Sequence, residues 1–324
     1  LAVGGDGPRS VLSTCNYQAR QFGVRSAMAS ARAFHLCPEL ILVPGRMSVY
    51  QQVSMQIRDI FAQFTDLIEP LSLDEAYLDV SHCTCLQGSA TLIAQQIRQQ
   101  IYQTTGLTAS AGIAPIKFLA KVASDENKPN GQLAIPPEQV TNFIDTMALE
   151  KISGVGKVTL AKLHKLALFT GKDVRNSSEH LLKKHLGHYG LLLWQRCHGR
   201  DDRAIQTSRV RKSIGVERTF AEDIVDSTRV KQLMYQDLLP ELVKRVERQQ
   251  AMTSVSKLGV KVKFADFVQT TKECKQDKLL INTFESLLDA ALARGQGKAV
   301  RLLGVHIGLA DPLDKTGDQL ELLW

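Results

Sequence analysis

Two adjacent carboxylates, Asp74 and Glu75, stand within an apolar run, Leu71–Val80, whose composition favours a β-strand. A carboxylate buried without a partner costs several kcal/mol or takes up a proton, and two neighbours raise each other's pKa. Such a pair is stable when it binds a cation, and magnesium takes oxygen ligands from carboxylates and substrate phosphates. The run therefore predicts a magnesium site. The alternative is that one carboxylate faces solvent and the other caps a turn.

A second group of polar side chains lies near the start of the chain, at a predicted strand-to-helix junction. Thr14, Tyr17 and Arg20 cluster there, where free backbone N–H groups can bind phosphate. Tyr17 and Arg20 are three residues apart and so lie on one helix face. Lys128 belongs to a Lys-Pro-Asn-Gly turn, from which a lysine can project into a cleft. Solvated surface side chains are the alternative for each of these residues.

A glycine hairpin, Ile152–Lys157, is predicted between two helices and is typical of a helix-hairpin-helix motif. Gly154 and Gly156 would let backbone amides approach a phosphate, and Lys157 adds positive potential. The segment 151–212 holds 14 Lys and Arg against 4 Asp and Glu, a charge of +10 in a chain of net charge +7. A polyanion partner, most often nucleic acid, is therefore expected, although a glycine-ended helix and a solvated surface remain alternatives.

The composition limits the class of protein. A chain of 324 residues suggests roughly two to three domains, and no apolar run reaches the length of about 18 residues that a membrane helix needs. No signal peptide is visible. Six scattered cysteines favour a reducing cytoplasm. His82, Cys83 and Cys85 resemble half of a zinc site, but no second pair stands at ligand spacing.

The elements that would position these residues alternate between helices and strands. Apolar residues at three-and-four spacing predict helices at 50–64, 92–106 and 116–127, around the strand 71–80. Beyond a polar linker, strands are expected at 257–264 and 300–309, the first with Lys257, Lys261 and Lys263 on a basic face. The pattern predicts an α+β protein of several domains.

In this order the motifs resemble the bacterial Y-family translesion DNA polymerases along the whole chain. The resemblance is carried by five stretches: Ser13–Arg20 with Phe22–Met28, Leu71–Val80, Lys128–Gly131, Gly154–Lys157 and Lys212–Arg218. It implies a right-hand polymerase with an added α/β domain. Fingers are expected over residues 1–46, palm over 47–135, a helical thumb with the hairpin over 136–199, a linker over 200–211 and a little finger over 212–324.

The resemblance implies template-directed, error-prone translesion DNA synthesis by a cytoplasmic monomer. Asp74 and Glu75 would be the catalytic carboxylates and would bind two magnesium ions. The incoming deoxynucleoside triphosphate would be held by Thr14, Tyr17, Arg20 and Lys128. Primer–template DNA would be held by Gly154, Gly156, Lys157, Arg209, Arg211, Lys212 and Arg218. A sliding clamp would bind the tail through Gln319, Leu320, Leu322 and Leu323.

The start of the chain departs from the family pattern. The family begins with a strand bearing another metal-binding aspartate, followed by an aromatic residue that excludes ribonucleotides, and both would precede Leu1. Asp79 does not replace the aspartate, because it is an odd number of residues from Asp74 and would face the other side of a strand. We therefore expect this chain to bind DNA with little or no synthesis. A non-catalytic DNA-binding module tethered to the clamp is the alternative, and a metal-dependent nuclease is a weaker one.

Overall fold

The computed structural model describes residues 1–310 of the chain, apart from the side chain of Thr253. These residues divide into two compact units. Unit one combines residues 1–45 with the segment that begins at Arg209, and unit two comprises residues 46–208. Both units mix helices with short sheets, which confirms the predicted α+β class.

The first part of unit one is a small sheet with two helices. Its elements are β1 (Ala2–Gly4), β2 (Leu12–Cys15), α1 (Tyr17–Gln21), α2 (Ser30–Leu36) and β3 (Leu42–Val43). Strand β1 lies in the centre, antiparallel to β2 and parallel to β3. Asn16 caps α1, since its side-chain oxygen accepts from the N–H of Ala19 at 3.0 Å.

The first half of unit two holds the elements around the two carboxylates. They are α3 (Met47–Ala62), β4 (Ile68–Pro70), β5 (Ala76–Leu78), α4 (Ala90–Thr105), β6 (Ala111–Ile113), α5 (Lys117–Glu126) and β7 (Gln132–Ala134). Strands β4 and β5 form an antiparallel pair, and β6 and β7 a parallel one. Ile60 of α3 packs with Ile93, Ile97 and Ile101 of α4, whose four-residue spacing places them on one helix face.

The second half of unit two is helical. It consists of α6 (Val140–Thr146), α7 (Lys157–Lys165), α8 (Gly171–Asn176), α9 (Glu179–Leu186) and α10 (His188–Cys197). One hydrophobic core joins these helices to α5, with Leu119, Leu163, Leu182 and Leu193 fully buried in it. Helix α5 therefore connects the region of the carboxylates to the helical region by burying its apolar face.

The C-terminal part of unit one is an antiparallel sheet covered by helices. Its elements are β8 (Ser213–Ile224), α11 (Ser227–Leu233), α12 (Leu239–Arg248), β9 (Val255–Phe264), β10 (Gln269–Lys275), α13 (Thr283–Ala293) and β11 (Val300–Leu309). The strand order is β10-β9-β11-β8. Alternate residues of β9, among them Leu258, Val260 and Val262, are fully buried beneath the helices. None of the helices within residues 1–310 has both the length and the apolar character that crossing a membrane requires.

The run Leu71–Val80 is not one strand, and this prediction was wrong. Strand β4 ends at Pro70 and β5 begins at Ala76, so Asp74 and Glu75 lie in the turn between them. The N–H of Leu71 donates to the carbonyl of Glu75 at 2.9 Å and closes that turn. Because the leucines of the turn are exposed, no apolar layer covers the carboxylates, and they avoid the desolvation that a buried strand would impose.

Candidate active site

The turn that carries the two carboxylates presents both of them to solvent. The hydroxyl of Ser72 donates to Asp74 Oδ1 at 2.5 Å, and Lys121 Nζ donates to Glu75 Oε1 at 2.7 Å. This geometry matches the alternative weighed for the sequence, in which one carboxylate helps to form a turn and the other faces solvent. Their adjacency and exposure nevertheless leave carboxylate oxygens accessible to a cation.

Glu75 is the first member of a row of alternating charges, here called the charged ledge: Glu75, Lys121, Asp125 and Lys128. Lys121 lies 3.7 Å from Asp125 one helical turn along α5, and Lys128 Nζ lies 2.5 Å from the same carboxylate. Burial alone would lower the pKa of Lys121, but its hydrogen bond to Glu75 and the charge of Glu75 outweigh this and raise it. Glu75 therefore favours the charged form of Lys121 beside the catalytic candidates.

Sequence reasoning missed Lys121 and Asp125. The signal was the repetition of Lys117, Lys121 and Asp125 at four-residue intervals, just before the turn that bears Lys128. Without the fold, such a pattern is typical of any solvated helix face. Only the packing of α5 beside the β4–β5 turn gives these residues a relation to Glu75.

The turn that bears Lys128 is held in place from α4. Arg98 donates to the backbone carbonyls of Ala109 at 2.9 Å and of Asn130 at 2.5 Å, and to Gln132 Oε1 at 3.0 Å. The backbone is thus anchored while the Lys128 side chain remains exposed. Its ammonium can exchange Asp125 for an anionic ligand without moving the turn.

The donor chemistry of the carboxylate turn fits magnesium, which prefers oxygen ligands. Within residues 1–310, no three His, Cys, Asp or Glu side chains are grouped so that they could hold a metal ion. Asp79 does not join Asp74, because its carboxylate accepts from the N–H of Ser81 at 2.9 Å. The bonds from the Ser81 hydroxyl and backbone lower the pKa of Asp79. Asp74 and Glu75 therefore remain adjacent candidates for the ion, and Asp79 does not complete a group of three ligands with them.

In unit one, the exposed Tyr17 lies beside the half-buried Arg20. The guanidinium carbon of Arg20 lies 5.6 Å from the centre of the Tyr17 ring, and Arg20 Nε donates to the carbonyl of Cys15 at 3.3 Å. Thr14 is exposed at the end of β2, opposite Val3 in the sheet register. The predicted one-sided placement of Tyr17 and Arg20 is thus present, with a cation and hydroxyl groups suited to an anion.

The segment expected to be a free linker, 200–211, is tied to unit two at its start. Asp201 accepts from Arg203 Nε at 2.5 Å and from the N–H of Phe118 at 2.9 Å. Ile116, which precedes α5, makes no capping bond with its side chain, so Asp201 supplies the cap from a distant part of the chain. Burial alone would raise the pKa of Asp201, but its bond from Arg203 outweighs this and lowers it.

A second tie of the same segment runs through Glu69. Its carboxylate accepts from Lys117 Nζ at 2.5 Å and from the N–H of Gln206 at 2.7 Å. Burial alone would raise the pKa of Glu69, but these bonds outweigh it and lower the pKa. We call Glu69, Lys117, Asp201, Arg203 and Gln206 the linker anchor. Sequence reasoning missed it, because its members are far apart in the chain.

The glycine hairpin has the expected form and is braced from α10. Gly154 has a positive φ of 98°, and a Cβ there would lie 2.5 Å from the Tyr189 ring, so only glycine fits. Tyr189 Oη and Arg196 both donate to the carbonyl of Ser153 at 3.1 Å. Gly156 precedes α7, and Lys157 is exposed at the start of that helix.

The basic residues around β8 and β9 differ in their partners. Arg209, Arg211 and Lys212 are exposed in a stretch without helix or strand. Arg218 donates to Asp237 at 2.5 Å. The expected basic face of β9 carries mixed charge, since Lys257 pairs with Glu273 at 2.9 Å and Lys261 pairs with Glu217 at 2.7 Å. The tail residues Gln319, Leu320, Leu322 and Leu323 lie outside the described residues.

Two protein-family profiles match this chain, one in its N-terminal part and one in its C-terminal part. Residues 1–125 match the profile of the impB/mucB/samB family, and residues 211–322 match that of the impB/mucB/samB family C-terminal domain. The DNA polymerase IV of Vibrio parahaemolyticus is 56% identical over 310 residues, which cover 95% of this chain and 88% of that protein. The DNA polymerase IV of Vibrio vulnificus is 53% identical over 324 residues, or 100% of this chain and 91% of that protein.

Solved structures resemble the chain over nearly its whole length. A chimera of the Y-family DNA polymerases Dbh and Dpo4 has a TM-score of 0.83 at 28% identity, covering 95% of this chain and 91% of the chimera. An insertion ternary complex of Dbh DNA polymerase has a TM-score of 0.65 at 26% identity, with the same coverage of both chains.

Proposed function

Because this chain belongs to the impB/mucB/samB family of Y-family DNA polymerases, we propose that its carboxylate turn and charged ledge form the polymerase centre. The protein is a DNA-directed DNA polymerase that carries out translesion synthesis. In this reaction the primer 3′-oxygen forms a bond to the α-phosphorus of the incoming nucleotide, and the bond to pyrophosphate breaks. A non-catalytic DNA-binding role is not favoured, since the relatives are polymerases along nearly the whole chain.

Asp74 and Glu75 are proposed as the magnesium ligands, with two ions per site. Their adjacency in an exposed turn supports this assignment, because oxygen donors and open access are what magnesium requires. When bound, magnesium lowers the pKa of the primer 3′-hydroxyl and neutralises charge on the phosphates. Lys121 Nζ pairs with Oε1 of Glu75 at 2.7 Å, which partly neutralises this carboxylate.

Lys128 of unit two is proposed as a triphosphate contact. Thr14, Tyr17 and Arg20 of unit one are proposed separately as phosphate-binding residues. Lys128 is supported by its exposure and by the anchored turn beneath it. Arg20 and Lys128 would offset the negative charge that develops on the phosphates during transfer. The hydroxyl groups of Thr14 and Tyr17 would donate hydrogen bonds to phosphate oxygens.

Primer–template DNA is proposed to bind the hairpin residues Gly154, Gly156 and Lys157 and the basic residues Arg209, Arg211, Lys212 and Arg218. These contacts would go to the phosphate backbone and carry no base information. We further propose that the tail, Gln319–Leu323, docks on a sliding clamp, on the strength of its sequence pattern. We also propose that the protein is a monomer and that it acts in the cytoplasm, a reducing compartment in which free cysteines such as these six are usual.

Primer extension tests the assignment of the carboxylates. Whatever extension rate the parent chain shows, we expect Asp74→Asn and Glu75→Gln to lower it at least about 100-fold, because charge stabilisation in the transition state is lost. Binding of primer–template, measured by band-shift on the same samples, should change less than about twofold, as expected for exposed residues away from the DNA contacts.

Asp79→Asn is the matched control, since Asp79 is a nearby carboxylate that binds its own turn. It should retain both extension and DNA binding. As a second readout, nucleotide binding to the protein–DNA complex should require more magnesium in the Asp74 and Glu75 variants. Extension by Asp74→Asn at the parental rate would show that this carboxylate is not a ligand.

A further inference from the structure

The loop that leads from β5 to α4 contains two cysteines whose sulfur atoms touch. Cys83 Sγ and Cys85 Sγ lie 2.8 Å apart, with Thr84 between the two residues. We propose that this thiol pair is a reversible oxidation site, which closes as a disulfide within the loop. The reactant is a low-molecular-weight disulfide, of which glutathione disulfide is the chemical type.

The loop holds the two sulfurs together from both sides. The N–H of Cys83 donates to the carbonyl of Val80 at 3.0 Å, and its side chain packs against the isoleucine core of α3 and α4. On the far side, Ser89 donates its N–H to the carbonyl of Leu86 at 3.1 Å and caps α4 with its side chain. Cys83 is therefore fixed, and Cys85 is presented beside it on the surface.

Exposure distinguishes this pair from three of the other four cysteines, since Cys274 is also half-buried. Cys85 is exposed and Cys83 half-buried, whereas Cys15, Cys37 and Cys197 are buried. Burial raises the pKa of the Cys197 thiol to about 12, so this thiol is inert. Within the described residues, Cys83 and Cys85 are the two sulfurs in contact with each other.

A metal does not account for the pair. Structural zinc takes four ligands, and within residues 1–310 no three His, Cys, Asp or Glu side chains are grouped to hold an ion. The resemblance of His82, Cys83 and Cys85 to half a zinc site thus ends at two sulfurs. A dithiol without a metal is the arrangement that thiol–disulfide exchange requires.

The Cys83–Cys85 disulfide forms in two thiol–disulfide exchange steps. The exposed Cys85 thiolate attacks one sulfur of glutathione disulfide, which forms a mixed disulfide and releases one glutathione thiolate. The Cys83 thiolate then attacks the Cys85 sulfur, which forms the Cys83–Cys85 bond and releases the second glutathione. The protein loses two electrons and two protons, and one glutathione disulfide becomes two glutathione thiols.

Mass spectrometry of one tryptic peptide tests the proposal. Cleavage after Arg58 and Arg98 gives residues 59–98, which contain no cysteine besides Cys83 and Cys85 and no Lys or Arg before the terminal Arg98. After equilibration of the folded chain with glutathione disulfide, free thiols are blocked with an alkylating reagent before digestion. We expect this peptide to lose the mass of two hydrogens, to carry no alkyl group and to regain both thiols with dithiothreitol. The contact with Cys83 raises the pKa of the Cys85 thiol, so the exchange is run to equilibrium.

Three variants distinguish the proposed pair from other outcomes. Cys85→Ser and Cys83→Ser should abolish the internal disulfide, and Cys274→Ser, which removes a half-buried thiol, should leave it unchanged. A reference dithiol in the same tube confirms that the oxidant is active. Two alkylated cysteines in the oxidised peptide would overturn the proposal, and so would stable glutathione adducts or disulfide-linked dimers in place of the internal bond.

Discussion

The linker anchor and the charged ledge each pair a lysine of α5 with a glutamate outside that helix, but they differ in how far these side chains are exposed to solvent. In the linker anchor, the side chains of Lys117 and Glu69 are 10% and 16% exposed. In the charged ledge, one helical turn away, those of Lys121 and Glu75 are 27% and 41% exposed. Both pairs are joined at hydrogen-bond distance. Exposure, and not residue type, separates them.

The difference in exposure gives the two groups different uses. Glu69 and Asp201 of the anchor each accept more than one hydrogen bond. These bonds hold residues 201–206 against β4 and α5. Removing one member of such a group leaves buried polar atoms without a hydrogen-bond partner, which lowers the stability of the fold. The ledge makes single contacts in solvent, where an ion pair contributes about 0–1 kcal/mol. Its members can therefore exchange partners for a metal ion or a phosphate.

The largest expected effect comes from Asp201, whose side chain is 1% exposed. Asp201→Asn should lower the free energy of unfolding by about 2 kcal/mol, because bonds to a charged group are lost and the cap of α5 is weakened. Urea unfolding followed by circular dichroism measures it. Asp202→Asn, at the exposed neighbour, is the control and should stay within about 0.5 kcal/mol of the parent. Equal stability of both variants would contradict a structural role for the anchor.

A matched pair of lysine substitutions sharpens the comparison. Lys117→Gln should destabilise the protein by about 1–2 kcal/mol, since the largely buried charge of Glu69 loses its cationic partner and keeps only the N–H of Gln206. Lys121→Gln should change stability by about 0.5 kcal/mol or less, because its partner Glu75 is solvated. Thermal melting of both variants under one condition is the measurement. Similar losses from the two lysines would mean that exposure does not decide the strength of these pairs.

The pH dependence of stability tests the anchor in another way. The pKa of Glu69 is lowered in the folded chain, so its contribution is complete above its unfolded value of about 4.3 and is lost as the pH falls through the folded pKa. Glu69→Gln should therefore be less stable than the parent at pH 7, with a difference that shrinks below about pH 4. Unfolding curves at several pH values measure this difference. A constant difference across the range would rule out the ionised carboxylate as its cause.

The smallest expected effect concerns Asp125, which holds Lys128 in the ledge. Asp125→Asn should tighten binding of the incoming nucleotide about twofold, because releasing Lys128 from an exposed ion pair costs about 0.5 kcal/mol or less. Fluorescence titration of the protein–DNA complex with a deoxynucleoside triphosphate and magnesium provides the affinity. Weaker binding would instead mean that Asp125 orients Lys128 for the phosphate.

Much of the fold follows from local pattern, but the environment of the carboxylates does not. Helices α3, α4 and α5 lie where the spacing of apolar residues predicts them, and β11 was predicted over its full length. An element that buries one face repeats its apolar residues with the period of a helix or a strand, and this repeat is visible in the sequence. The run Leu71–Val80 has a strand's composition and yet turns at its centre, where Leu71 and Leu73 stay partly exposed at 39% and 37%. Composition cannot report whether a covering layer exists.

The sequence by itself determined the family, the chemistry of the candidate residues and the order of the elements. Adjacent carboxylates, a glycine hairpin and a basic segment are local facts, and they require only their own residue types and spacing. The tertiary structure alone decided that Lys121 pairs with Glu75, that Asp201 caps α5 and that two cysteines touch in an open loop. Contact and exposure depend on which distant segments pack together, and hydrogen bonds and ion pairs act only over a few ångströms.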